Sequence, residues 1–244
     1  MDNPMTLDEL LSDSSFASSV VSEFEALSMA FDEVYQNIPV EMRMSRHEIS
    51  FHADTMLLGY LSHLVRALPG AITEIGVWKG KSLALMERFS GKDDPIIGID
   101  PCVLANQREE LGCFHERLFP RGHLIFDYSE RSVERLQDIA KSIKLLHIDG
   151  GHEAYNVWAD FLLYERFVVP GGYVVFDDYV DPEFSPEVGP AVDKLEAAGF
   201  FSDYEVVSPL SDFASVYVLR KKVDATRATG PRPGSNRFMC WFRK

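Results

Sequence analysis

Two periodicities alternate along the chain, and their order predicts the fold. Apolar positions recur at helical spacing between Ser14 and Gln36, at Phe16, Val20, Phe24, Leu27, Phe31 and Tyr35, and Ala53–Leu68 reads as a second helix. From Ala71 the pattern changes to short continuous apolar runs: AITEIGV, PIIGID, HLIFD, IKLLHID and GGYVVFDD. Helical stretches lie between them, SLALMERF, VERLQDIAKS and Tyr155–Phe167. Strands that are apolar on both faces and separated by helices predict a parallel sheet covered on both sides. A further helical stretch, EVGPAVDKLEAAGF, follows, and then YEVVS and ASVYVLRK with no helix between them, which predicts an antiparallel hairpin at one edge. The expectation is a doubly wound α/β fold in three parts: a helical N-terminal extension (1–67), a mostly parallel sheet domain (68–222) and a basic tail (223–244).

Composition narrows the class. With 244 residues, 46% of them apolar and 25% charged, the chain can bury a full core, which excludes disordered and fibrous classes. Its net charge of −14 argues against a nucleic-acid partner, which requires a basic footprint. Charge is unevenly placed: residues 1–45 hold nine acids and one base, and residues 220–244 hold eight bases and one acid. The segment TRATGPRPGSN is rich in Gly, Pro and Ser and predicts a flexible tail, although Phe238, Trp241 and Phe242 beyond it also suit docking on the acidic N-terminal arm or on a second subunit. Met1–Asp13 has neither the basic flank nor the apolar run of a secretion signal, and no stretch resembles a membrane span. Cys102, Cys113 and Cys240 share no metal-ligand spacing and read as thiols in a reducing compartment. These features predict a cytoplasmic protein that handles a small molecule.

In such sheets the ligand sits beyond the carboxyl ends of the strands, at the point where the strand order reverses. The predicted strands end at Glu74 and Gly76, Asp100, Asp127, Asp149, and Asp177 with Asp178. Any one of these acids suits a helix cap or a turn. Together they form an acidic rim that needs a cation or hydroxyl donors. The loop GVWKGKS, Gly76–Ser82, falls one residue short of a P-loop and lacks the dinucleotide GxGxxG pattern. Glu74 before it would repel a triphosphate but suits a cationic ligand. Asp100, 24 residues after Gly76, is placed for both hydroxyls of a ribose. Loop N–H groups and the following helix N-terminus suit a small carboxylate. Ribose, ammonium and carboxylate without phosphate describe S-adenosylmethionine. In HIDGGH and FDDY, Asp149, Asp177 and Asp178 end neighbouring strands, and three hard oxygen ligands suit Mg²⁺, with Mn²⁺ or Ca²⁺ as substitutes. His152, on the loop after Asp149, could reach a bound substrate; His115, His123 and His147 read as structural and outside the carboxylate group.

EIGVWKGKS closely resembles the first motif of class I S-adenosylmethionine-dependent methyltransferases, in the form typical of macrocin-type sugar O-methyltransferases. HIDGGHEAYNVWADFLLYERFVVPGGYVVFDDY is similar to the metal-binding half of that group and of its mycinamicin methyltransferase and cephalosporin hydroxylase-like relatives. The resemblance spans roughly Leu68–Lys221 and implies a Rossmann-like methyltransferase sheet. It implies that Glu74, Gly76, Gly80, Ser82 and Asp100 contact the cofactor, that Asp127 and Ser129 lie around the adenine, and that Asp149, Asp177 and Asp178 hold Mg²⁺. Many macrocin-type members carry Asp-Gly-Asp, with the second acid as base. Gly151 fills that place here, and the role moves to His152, as in the branch with His three residues after the first Asp. The implied activity is metal-dependent O-methylation of a small molecule, most directly a sugar of a glycosylated natural product such as an antibiotic, by a homo-oligomer. A hydroxylase-like tailoring protein, a catechol-type acceptor and a non-catalytic partner are the alternatives. Tyr35, Met42, Met44, His47, Phe51 and His52 suit either a lid on the acceptor side or core and dimer contacts.

Overall fold

The computed structural model describes residues 5–44 and 54–224. The N-terminal part folds as α1 (Leu7–Ser12), α2 (Ser14–Asn37) and α3 (Asp54–Leu64). The alternating part follows as β1 (Ala71–Ile75), α4 (Lys81–Phe89), β2 (Ile96–Ile99), α5 (Gln107–Leu118), β3 (Gly122–Ile125), α6 (Ser129–Ile139), β4 (Ile143–Ile148), α7 (Ala154–Tyr164), β5 (Val168–Phe176), α8 (Val188–Ala197), β6 (Tyr204–Val206) and β7 (Tyr217–Lys221). Each apolar run became a strand, because a strand enclosed on both faces can bury every side chain: all residues of β1, β2 and β4 are buried. The sheet order is β3-β2-β1-β4-β5-β7-β6. The first five strands are parallel, while β7 runs antiparallel to both β5 and β6 and forms the expected edge hairpin.

Two apolar layers enclose the sheet. On one face α2, α3, α4 and α5 build a core that includes Phe31, Leu57, Leu85 and Phe114. On the other, α6, α7 and α8 contribute Leu136, Phe161 and Val192. Two helices were absent from the sequence pattern. α5 is polar over most of its surface and buries only Leu111, Phe114 and Leu118 as an apolar stripe. α1 is six residues long, held by a capping box in which Thr6 and Glu9 bond each other's backbone N–H. β5 starts three residues before the predicted GGYVVFDD, and its pairing with β4 slips in register between Ile143 and Leu145. Among the described residues, no helix is long and apolar enough to cross a membrane.

The N-terminal part packs over the glycine loop. Phe31 of α2 stacks on Phe114 of α5 with ring centroids 4.8 Å apart. Asn106 donates its amide to the Glu41 and Arg43 carbonyls, and Glu110 accepts the Met44 N–H at 2.6 Å. Glu110 also pairs with the buried Lys79 at 2.7 Å, under the ring of Tyr35. Tyr35 and Met44 therefore lie against the loop and α5. His47, Phe51, His52 and the tail with Cys240, Phe238, Trp241 and Phe242 lie outside the described residues.

Register makes the carboxyl edge. Gly76 N–H bonds the Ile99 carbonyl at 2.9 Å, Asp149 N–H the Ile75 carbonyl at 2.8 Å, and Asp177 N–H the Ile148 carbonyl at 3.0 Å. The strands thus end level with one another, so their terminal residues meet. Gly76 crosses the end of β4 with a left-handed φ of 86°, and a Cβ there would stand 1.8 Å from the Asp149 carbonyl oxygen. Gly76→Ala is expected to destabilise the protein by ~2–4 kcal/mol through backbone strain and overlap, read as a fall in the denaturation midpoint.

Candidate functional site

The glycine loop leaves β1 and turns into α4 through Gly80, whose φ is 82° and where a Cβ would meet the Phe119 ring at 2.3 Å. Asp100, at the end of β2, holds this loop. Its Oδ2 accepts the N–H groups of Val77 (3.0 Å) and Trp78 (2.9 Å); its Oδ1 accepts those of Cys102 (2.7 Å) and the Gln107 side-chain amide (3.1 Å). The acid stands at the expected strand end, with Oδ2 engaged in fixing the loop and Oδ1 in bonds to Cys102 and to the start of α5. Burial, followed by the Asp100 charge, pushes the Cys102 thiol up to about 12, which leaves it no nucleophilic use.

Glu74 is fully buried beneath the loop, beside the Ser82 hydroxyl at the start of α4. Its Oε1 lies 2.8 Å from His147 Nδ1, and among the described residues its Oε2 has no hydrogen-bond partner. The structure corrects the expectation for His147. Glu74 and His147 are paired in register across β1 and β4, and the other imidazole nitrogen faces Asp177 Oδ2 at 3.8 Å. His147 is 2% exposed and sits inside the carboxylate group. His115, by contrast, bonds the Gly122 carbonyl on the far side of the sheet domain, at 2.7 Å.

Beyond His147 the ends of β4 and β5 line a small cleft with Asp149, Gly150, Gly151, His152, Asp177 and Asp178. Ligand atoms of Asp149, His152 and Asp178 lie within 4.8 Å of one another, and so do those of Glu74, His147 and Asp149, so Asp149 joins the two groups. Asp177 lines the same cleft, and its charge is the largest of those acting on Asp149. Its Oδ1 accepts the Asp178 N–H at 3.0 Å, and the backbone goes left-handed at Asp178 (φ 55°). His152 is held at both nitrogens: Nε2 lies 3.2 Å from Asp178 Oδ2 and Nδ1 2.9 Å from the Ser185 hydroxyl. Ser185 is 1% exposed and donates to Asp178 Oδ2 at 2.8 Å. The loop carrying it is pinned by Asp181, whose Oδ1 accepts the N–H groups of Glu183 and Phe184, while Phe184 and Val180 stand exposed beside the cleft.

Electrostatics agree with the crowding. Burial raises the pKa of Glu74 despite its bond to His147. Burial, then the charges of Asp177, Glu74, Asp178 and Asp100, raises Asp149 well above the carboxylate range. Asp177 is raised by burial too. Burial opposes the charge on His147, but the bond and charge of Glu74, with Asp177 and Asp178 beyond, outweigh it and raise the imidazole. The cluster is short of positive charge, and a bound cation would relieve it.

Two expected positions lie apart. Asp127 accepts the Tyr128 N–H at 2.9 Å and faces Arg135 at 3.6 Å. The Ser129 hydroxyl bonds Asp160 of α7, a buried acid whose other oxygen would meet a Cβ at Gly150. At Gly151 a Cβ would stand 2.2 Å from Asn156 Nδ2, so the place of a second acid is filled by the Asn156 amide.

A seven-stranded sheet of this order, with a glycine loop after β1 and an acidic carboxyl edge, is a Rossmann-like sheet of the methyltransferase fold. Residues 73–179 match the family described as a methyltransferase domain. A protein of Acanthamoeba polyphaga mimivirus, the uncharacterized protein R132, is 36% identical over 164 residues, which cover 64% of this chain and 74% of that protein. Residues 73–179 of the chain therefore carry a methyltransferase domain, and the chain belongs to one family with the viral protein R132. Solved structures repeat the fold at low identity. The O-methyltransferase from Bacillus cereus in complex with S-adenosylhomocysteine superposes with a TM-score of 0.57 at 15% identity, covering 88% of this chain and 100% of that one. CalS11, the TDP-rhamnose 3'-O-methyltransferase of calicheamicin biosynthesis, gives 0.54 at 18% identity, covering 88% and 99%.

The residues missed from sequence had unequal signals. His147 lies two residues before Asp149 as Glu74 lies two before Gly76, so level strand ends place them side by side. Asp160 falls on the buried stripe of α7 with Val157, Phe161 and Tyr164, an unusual position for an acid. Ser185 and Gln107 carried none, because a loop brings in the first and the first turn of α5 the second. Burial raises Asp160 to about 7. The folded chain therefore holds a proton there that the unfolded chain releases above the ordinary carboxylate range, so this acid costs stability as pH rises from about 4 to about 7. Asp160→Asn is expected to gain stability over the parent across that window, by roughly 1.4 kcal/mol per pH unit at most, in melts at pH 5 and pH 8.

Proposed function

We propose that the protein is a metal-dependent O-methyltransferase that moves a methyl group from S-adenosylmethionine to a hydroxyl of a small molecule, a sugar of a glycosylated natural product being the acceptor class favoured. The observation that carries this reading is the buried Glu74 carboxylate, with one oxygen unpartnered among the described residues, directly beneath the glycine loop and adjoining the Asp149 group. An orphaned buried carboxylate fits the cofactor's ammonium, and no phosphate is compatible with it. CalS11, whose acceptor by name is TDP-rhamnose, supports a sugar hydroxyl.

The residues divide the work. Glu74 receives the ammonium, with Ser82 beside it, and Gly76 and Gly80 let the loop backbone approach. Asp100 receives the ribose in place of the Gln107 amide, the longest of its four contacts at 3.1 Å. Asp127 and Ser129, on the β3 side, border the adenine. Bound S-adenosylmethionine supplies an electrophilic methyl, and the attacking oxygen must lie in line with it at near-contact distance. Asp149 and Asp178, with Asp177 in the same cleft, would hold Mg²⁺, which supplies Lewis acidity that makes a chelated hydroxyl easier to ionise. His152 takes the hydroxyl proton. Ser185 at Nδ1 fixes the ring, and Asp178 beside Nε2 stabilises the imidazolium that forms.

Calorimetric titration with S-adenosylmethionine, with and without Mg²⁺, is the direct test, followed by methyl incorporation into glycosylated acceptors. Saturable cofactor binding is expected in both conditions, and its absence from both would remove the assignment. His152→Ala is expected to keep cofactor binding and lose about 10²- to 10⁴-fold in turnover. Full activity in that variant would place the base elsewhere. Asp178→Asn is expected to abolish the response to added Mg²⁺; a rate that is unchanged by this substitution and by a chelator would argue against any metal role.

A further inference from the structure

His147 touches both halves of the site. Its Nδ1 is 2.8 Å from Glu74 Oε1 on the glycine-loop side, and its Nε2 faces Asp177 Oδ2 at 3.8 Å on the cleft side. Its ligand atoms also lie within 4.8 Å of those of Asp149, the residue common to both carboxylate groups. At 2% exposure, little solvent can stand in for either contact. The distances are unequal: the first is a good hydrogen bond and the second is too long for one. An imidazole in this position is contested by carboxylates on two sides.

We propose that His147 is a positioning residue that couples cofactor binding to metal binding, each tightening the other. This rests on the functional reading above. A cation in the cleft satisfies Asp149, Asp177 and Asp178, which ends their competition for the imidazole. His147 then keeps, without a rival, the bond that it already makes to Glu74 Oε1, which holds that carboxylate with Oε2 free for an ammonium. In the other direction, a ligand held by Glu74 fixes the imidazole, and with it the carboxylates that face its second nitrogen. Whichever half is filled first carries the ordering cost for both. Coupling of this kind is reciprocal by thermodynamic necessity.

The experiment uses the full chain, S-adenosylhomocysteine and Mn²⁺, read by calorimetry without any acceptor or turnover. In the parent, saturating Mn²⁺ is expected to tighten S-adenosylhomocysteine about five-fold or more, and saturating S-adenosylhomocysteine to tighten Mn²⁺ by the same factor. In His147→Gln, close in size, and in His147→Leu, the factor is expected to fall to about one, whatever the affinity for each ligand alone becomes. A factor that persists in either folded variant would overturn the proposal. So would a parent that binds both ligands independently, and that result would leave the methyltransferase reading standing. Failure of the parent to bind S-adenosylhomocysteine at all would overturn both.

Discussion

The site depends on one close approach, that of β1 to β4 at the point where the strand order reverses. Asp149 donates its N–H to the Ile75 carbonyl, and Gly76 then passes over the Asp149–Gly150 backbone at a distance that admits no side chain. That contact brings the glycine loop and the cleft together as adjoining parts of one edge. It also levels the strand ends, which sets Glu74 beside His147 and brings Asp149 to Asp177 and Asp178. A wider crossing would leave two unrelated polar patches.

Given that geometry, electrostatics becomes the second constraint. Five acids from four strands share a small buried volume whose internal counter-charge is His147, aided by backbone N–H groups at Asp100 and Asp177. Carboxylates so arranged are held partly protonated or wait for a cation. The fold tolerates this because the carboxyl edge is enclosed by ordinary apolar packing on both faces, with Phe31 and Phe114 on one side and Phe161 and Phe176 on the other.

Most of the fold could be read from sequence, for a physical reason. Strands buried on both faces must be largely apolar, so AITEI, IIGI and IKLLHI declare themselves, and each is followed at once by a glycine or an acid, Gly76, Asp100 or Asp149. The edge hairpin was equally legible, since no helix separates its strands. What was hidden follows from the same logic. α5 packs through a narrow stripe and is otherwise polar, so its pattern is diluted. The site was legible as a list of strand-end acids, but not as a set of partners. Nothing in the spacing of Asp177 and Asp178 foretells a left-handed turn at the second, and nothing near Asp100 foretells that the N–H groups of Val77, Trp78 and Cys102 and the Gln107 amide all bond to it. Ser185 and Asn156 reach the site from a loop and a helix whose placement is settled only by tertiary packing.

The loop after β5 separates two duties within adjacent residues. Ser185 points inward and holds His152 with Asp178, while Phe184 points outward beside the cleft, and the Asp181 turn keeps the alternation rigid. A change at position 184 falls on an exposed side chain and leaves the bonds among Ser185, His152 and Asp178 untouched. The outer residues of this one short loop can therefore drift while its inner contacts are inherited intact.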